Sequence, residues 1–197
     1  MFIQIIQGRC RDQGKVRALG DRWISDLAPG SVGWLGGTYG FTDDGQFVGV
    51  VRFDSRESAA ANGVRPEQTA WWKEMESCFD GPVTFHDCDD VTLMLGGGSD
   101  SAGFVQILQG KVDDAAKFKE LMGDTEMLHQ MRPDIMGATL AIEPDGTFTE
   151  TVAFTDEQSA RSAEHTPESE RFVQEMGAMM HDVSYYDLHT PWFTSKT

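Results

Sequence analysis

Phe2-Ile3-Gln4-Ile5-Ile6-Gln7-Gly8 returns a hundred residues later as Phe104-Val105-Gln106-Ile107-Leu108-Gln109-Gly110. Both copies alternate in side-chain type and end on glycine, the pattern of a buried strand running into a turn. Further matches lie outward from this pair. Asp44-Gly45 answers Asp145-Gly146, and Phe53 with Ser58-Ala59 answers Phe154 with Ser159-Ala160. Pro66-Glu67 pairs with Pro167-Glu168, Trp71 with Phe172, Glu74-Met75 with Glu175-Met176 and Phe85 with Tyr186. Pro29 and Gly33 align with Pro133 and Gly137, so the offset runs from 102 to 104 and back to 101, slips expected to fall in loops. The 197 residues read as two versions of one domain: a repeat over 1–95, a flexible Gly/Ser linker over 96–101 and a second repeat over 102–197.

Within the first repeat, Asp12 is placed to cap a helix reaching Leu27, with Val16, Leu19, Trp23 and Leu27 on one stripe. Gly33–Phe41 and Phe47–Phe53 are strands about the Asp43-Asp44-Gly45 turn. Ser55 caps a short helix over Arg56–Asn62, Pro66 opens another over Glu67–Phe79, and Pro82–Cys88 is a fourth strand. The order β-α-β-β-α-β is the split βαβ of ferredoxin-like domains. On the first strand Ile3 and Ile5 suit a helix-covered face, leaving Phe2, Gln4 and Ile6 on a second apolar face that needs another sheet. The expected fold is α+β: two ferredoxin-like repeats whose antiparallel sheets pack face to face into a single-chain pseudo-dimeric barrel. Val91–Leu95 and Leu188–Phe193 are candidates for strands that cross to the partner sheet's edge.

Thirty-two acidic against 16 basic residues leave a net charge of −16, which disfavours nucleic acid and anionic membranes as partners. No apolar run approaches a membrane span and no basic start precedes an apolar segment, so a cytoplasmic protein is expected. Cys10, Cys78 and Cys88 form no disulfide framework. In His86-Asp87-Cys88-Asp89, alternate residues point to opposite faces and no second ligand group follows, so no metal site is expected. Nucleophile-elbow, phosphate-loop, dinucleotide and zincin signatures are all missing from the sequence.

Val50-Val51-Arg52-Phe53-Asp54-Ser55-Arg56-Glu57-Ser58-Ala59, with Pro66 and Ala70-Trp71-Trp72-Lys73-Glu74-Met75 beyond it, resembles the third-strand-to-helix segment of the antibiotic-biosynthesis-monooxygenase-like branch of the dimeric α/β barrel superfamily. The resemblance implies a barrel, usually made by two chains and here by one, acting as a monomeric pseudo-dimer or a homodimer of it. It also implies several chemistries, including cofactor-independent oxidation of aromatic polyketides, isomerisation and haem degradation, among which fold does not choose. Haem-degrading members use an Asn, a Trp and a His. The matching positions are Gln4 and Gln106, Trp71 and Phe172, Asp80 and His181, so neither half has the full set, and His181 is the haem-ligand alternative.

Aromatic oxygenation needs an apolar cavity with a few polar groups. In the first half Trp34, Tyr39 and Trp71 are candidate ligand-binding residues, with Gln4, Arg52 and the base His86 as candidate catalytic groups; Gln106 is the ligand-binding counterpart in the second half. Gly33–Gly40 would leave room above the sheet, although Trp34 and Tyr39 share a face only if the strand bulges. In the second half His129, Arg132, His165 and His189 add titratable groups, and Glu150 faces inward if Phe148 and Val152 do, a candidate base whose counterpart is Gly49. The leading expectation is a small hydrophobic or aromatic ligand held mostly by the N-terminal half. It would be oxidised or isomerised with no cofactor; a non-catalytic ligand- or partner-binding barrel is the alternative.

Overall fold

The computed structural model describes the chain apart from Asp124, Glu164, His165 and Thr197 and the side chains of Thr125, Glu126, Met127, Pro167, Glu168, Ser169, Phe172 and Val173. His165 and the Phe172 side chain, both considered above, thus lie outside the described residues.

The first repeat runs β1 (Phe2–Arg9), α1 (Gln13–Arg22), β2 (Trp34–Phe41), β3 (Gln46–Phe53), α2 (Arg56–Gly63), α3 (Pro66–Glu76) and β4 (Thr84–Cys88). β5 (Asp90–Met94) follows, and the second repeat is β6 (Phe104–Val112), α4 (Ala115–Met122), α5 (Thr125–Met131), β7 (Ile135–Ile142), β8 (Thr147–Phe154), α6 (Glu157–Ala163), α7 (Pro167–Gly177) and β9 (Met180–Leu188), before β10 (Trp192–Ser195). Asp12 and Ser55 cap helices as expected, and Asp114 repeats the Asp12 cap in the second half. Asp12 Oδ1 accepts from the Lys15 amide (2.9 Å), Asp114 Oδ1 from that of Lys117 (3.0 Å) and Ser55 Oγ from that of Ser58 (3.2 Å).

Each repeat makes an antiparallel sheet in the ferredoxin-like order and gains a fifth strand: β10-β2-β3-β1-β4 in one, β5-β7-β8-β6-β9 in the other. The crossing strands exist as expected, the C-terminal one over Trp192–Ser195, while Leu188 still belongs to β9. Because of this exchange one compact unit is Met1–Asp89 with the stretch from Trp192 onward, and the other is Asp90–Pro191. The segment read as a linker sits inside the second unit.

Three expectations need correction. The helix-covered face of β1 carries Phe2, Gln4 and Ile6: Phe2 packs with Trp23, Leu27, Trp34 and Phe53, and Ile6 against the Val16, Leu19 and Met75 cluster. Ile3 and Ile5 are buried on the opposite face. Both faces are apolar, so hydrophobic patterning could not tell them apart. Second, Gly137 corresponds to Gly36 rather than Gly33. Trp34 and Ile135 pair with Phe53 and Phe154, and both sheets break register before the next glycine. Third, the length difference between the repeats is one residue and falls in a helix. Phe2 to Trp34 spans one residue more than Phe104 to Ile135, and α1 continues into a π-helical turn at Trp23–Leu27, the form in which a helix absorbs one extra residue.

Candidate functional site

In the second half the helix-covered face of the sheet presents Phe104, Gln106 and Leu108 from β6 beside Phe154, Val152 and Glu150 from β8. Helices α4 to α7 do not close fully over it, and a cavity of about 540 Å³ remains, walled by Met122, Leu128, Met131, Ile135 and Met176 among others. Glu150 enters this space. It is 5% exposed, and among the described residues no hydrogen bond or ion pair reaches its carboxyl group.

Two arginines line the same cavity, but each is already occupied. Arg132 grips Asp134 through Nε (3.0 Å) and Nη2 (2.8 Å), donates to the Ala160 carbonyl (3.2 Å) and lies over the Phe154 ring. Arg161 is ion-paired with Asp187 and Glu157. Among the described residues no cation or donor bonds to the anion, and burial pushes the Glu150 carboxyl from its ordinary 4.5 up to about 7. At neutral pH the group is divided between acid and base forms, the condition for moving protons in either direction. Gln106 stands nearby, its Nε2 donating to Asp187 Oδ1 (2.8 Å).

The first half repeats part of this. Gln4 Nε2 donates to Asp87 Oδ1 (2.8 Å), Arg56 is 3.7 Å from the other Asp87 oxygen, and the guanidinium lies 4.8 Å over the Phe2 ring, as Arg161 lies over Phe104. A Gln–Asp–Arg–Phe chain therefore occurs twice, although its arginines come from unmatched positions: Arg56 aligns with Glu157 and Arg161 with Ala60. Repeat alignment could not find them. Asp134, two residues beyond Arg132, holds that guanidinium locally, a pairing the sequence reading did not consider.

The aromatic candidates do meet. The register shift between Trp34 and Gly36 brings Trp34 and Tyr39 to one face, and both line a pocket of about 100 Å³ with Gln4 and Trp71. Room over the glycine-rich strand is smaller than expected, because the Tyr39 ring folds back over Gly37 and stacks on Trp192 (5.6 Å). Burial raises the Tyr39 pKa. Trp71 Nε1 donates to the Leu19 carbonyl (2.8 Å), whereas Trp34 Nε1 is buried without an acceptor among the described residues. An unmet N–H of this kind costs about 1–3 kcal/mol.

Other candidates sit elsewhere. Arg52 and His86 pair with Ile3 and Ile5 and so lie on the face away from Gln4. The expected cluster of Gln4, Arg52 and His86 is not formed. His181 is exposed on β9 opposite Lys111 and lines none of the cavities described here, so the residues present do not fit haem held through it. His129 is exposed at the end of α5, and His189 Nδ1 meets Glu157 Oε2 (2.8 Å). Met176 is core, with Met179 and Met180 packed against it. Among the described residues no three His, Cys, Asp or Glu groups are placed to hold a metal ion, and no helix is long and apolar enough to cross a membrane. Glu150 thus has a cavity beside it in the second half, while in the first half Gln4, Trp34, Tyr39 and Trp71 share a pocket without Arg52 or His86.

No family model and no curated protein sequence matches the chain. Solved structures do. A candidate monooxygenase of Lactobacillus acidophilus NCFM superposes with a TM-score of 0.74 over 97% of this chain and 95% of its own, at 12% identity. One from Fusobacterium nucleatum does so at 0.75 over 99% and 94%, with 9% identity. An anthrone oxidase-like protein gives 0.64 over 98% and 92%, with 10% identity. At these identities the likeness is one of fold: over nearly its whole length the chain shares the fold of these proteins, with two five-stranded antiparallel sheets.

Proposed function

We propose that the chain binds a small apolar, aromatic molecule beneath the helices of its second half and oxidises or isomerises it without a cofactor, with Glu150 as the base. One observation carries this reading: a buried carboxyl group, unpartnered among the described residues and titrating near pH 7, stands in a cavity of about 540 Å³. The fold shared with candidate monooxygenases and an anthrone oxidase-like protein supports the reaction class by analogy.

In the oxidation, ionised Glu150 takes a proton from a carbon made acidic by a neighbouring carbonyl and aromatic ring. The carbanion passes one electron to dioxygen, and the two radicals combine at that carbon as a peroxide. Loss of water leaves a new carbonyl, so the CH₂ group and O₂ become C=O and H₂O. In an isomerisation Glu150 returns the same proton to a different carbon. Apolar walls exclude water that would quench the carbanion.

Anthrone in air is the test, with anthraquinone formation followed by absorbance. The rate should rise as Glu150 ionises through about pH 7 and level off above it. Glu150→Gln should lower it about 100-fold or more. Equal turnover by both proteins would remove Glu150 from the role. Binding of anthrone without turnover by either would favour the non-catalytic barrel.

A further inference from the structure

All five tryptophans of the chain, Trp23, Trp34, Trp71, Trp72 and Trp192, line the pocket in the first half, and the second repeat has none beneath its own helices. This pocket of about 100 Å³ runs into a cleft of about 530 Å³ with which it shares Gln4, Phe53, Gln68, Trp71 and Trp72. The indole rings around this space are inclined to one another by 46° to 67° and give it a largely aromatic wall, a surface on which a π-system can pack.

The polar groups are one-sided. Trp34 Nε1 is buried and has no acceptor among the described residues. Gln68 uses its carbonyl oxygen to accept from Trp23 Nε1 (2.6 Å), and buried Asn62 uses its own to accept from Arg65 Nη1 (2.9 Å). Their amide nitrogens are left to donate. Against these N–H groups stand the spare carbonyl oxygen of Gln4, whose Nε2 is held by Asp87, and, at the exposed rim, the Asp21 carboxylate. No buried base accompanies them. Gly49 occupies the position of Glu150, and the Tyr39 and Phe47 rings stand 3.1 Å from where its Cβ would be, so the base's place is already filled. The charged groups at the cleft, Arg56 and Asp87, face each other as an ion pair.

We propose that the first half is a second ligand site, separate from the Glu150 cavity, which binds an uncharged flat aromatic molecule bearing carbonyl oxygens, of the quinone class, and performs no chemistry on it. Ring stacking on the indoles holds the ligand, and donation from Trp34, Gln68 and Asn62 to its carbonyls selects it over hydrocarbons of the same shape.

Because every tryptophan lines this pocket, intrinsic fluorescence reports on it directly. The probe is 2,3-dimethyl-1,4-naphthoquinone, whose substituted ring carbons resist addition by the cysteine thiols, compared with carbonyl-free 2,3-dimethylnaphthalene. The expected result is saturable quenching by the quinone and about tenfold weaker binding of the hydrocarbon, as loss of two acceptors would give. Trp34→Phe, which keeps a ring and removes the N–H, should weaken quinone binding about fivefold. Should that variant fold poorly, Ala60→Phe, at an exposed helix position on the cleft wall, should block binding instead. Glu150→Gln should leave the quenching curve unchanged, which keeps this result independent of whether the second half is catalytic. Linear, unsaturable quenching, equal affinity for quinone and hydrocarbon, or quenching lost in Glu150→Gln would each overturn the proposal.

Discussion

A carboxyl group enclosed by thioether and alkyl side chains, with both nearby arginines committed to other carboxylates, holds its proton to about pH 7. The consequence for stability has a definite sign. The folded pKa of Glu150 lies above its ordinary 4.5, so the native state binds more protons than the unfolded chain between pH 4.5 and about 7. Its stabilising contribution is full below pH 4.5 and is lost as pH rises to about 7, where the gap corresponds to about 3 kcal/mol. Denaturant unfolding of the wild type should therefore lose stability across that window relative to Glu150→Gln, which should show no such local fall. If the difference between the two proteins is flat with pH, the carboxyl is not desolvated. His181→Ala should leave any haemin Soret band unchanged, since that imidazole is exposed on β9. That Glu150 shares a face with Phe148 and Val152 was readable from their alternation; that this face lies beneath the helices was not. The isolation that sets its pKa was not, because Arg161 is held by Asp187 of β9, 26 residues further along the chain.

At the scale of elements, one irregularity decides who meets whom. A regular β2 would send Trp34 and Tyr39 to opposite faces, and the register shift before Gly36 puts them in one pocket. The equivalent shift in β7 precedes Gly137, whose missing Cβ would stand 1.6 Å from the Gly97 carbonyl oxygen. Gly96-Gly97-Gly98 is thus a turn seated on β7, closed by the Gly97 amide donating to Met94 O (3.0 Å), and not a slack tether. Gly137→Ala must push this backbone away and should cost about 1–3 kcal/mol in denaturant unfolding. A neutral result would show that the turn moves freely. Glycine content alone suggests flexibility; close backbone approach gives glycine a different use, and sequence does not separate the two.

At the scale of the whole molecule, the chain's last strand completes its first sheet. β10 pairs with β2, Trp192 stacks on Tyr39, and the Arg17 guanidinium lies 4.6 Å over the Trp192 ring. A chain ending at Pro191 leaves the β2 edge unpaired and the aromatic pocket without one wall. It should unfold at lower denaturant, and its remaining tryptophans should emit further to the red and be more readily quenched by acrylamide. Unaltered emission would mean that the first unit does not depend on the C-terminus.

The sequence by itself determined the duplication, the ferredoxin-like order of each repeat, the helix caps and the exchange of edge strands, because each is written in local pattern or in recurrence at fixed spacing. Tertiary structure alone decided which face of β1 the helices cover, which arginines are already paired, and which half gives a buried carboxyl group room to act. Those depend on close approach between residues far apart in the chain, where one bulge or one extra residue in a helix redirects several side chains.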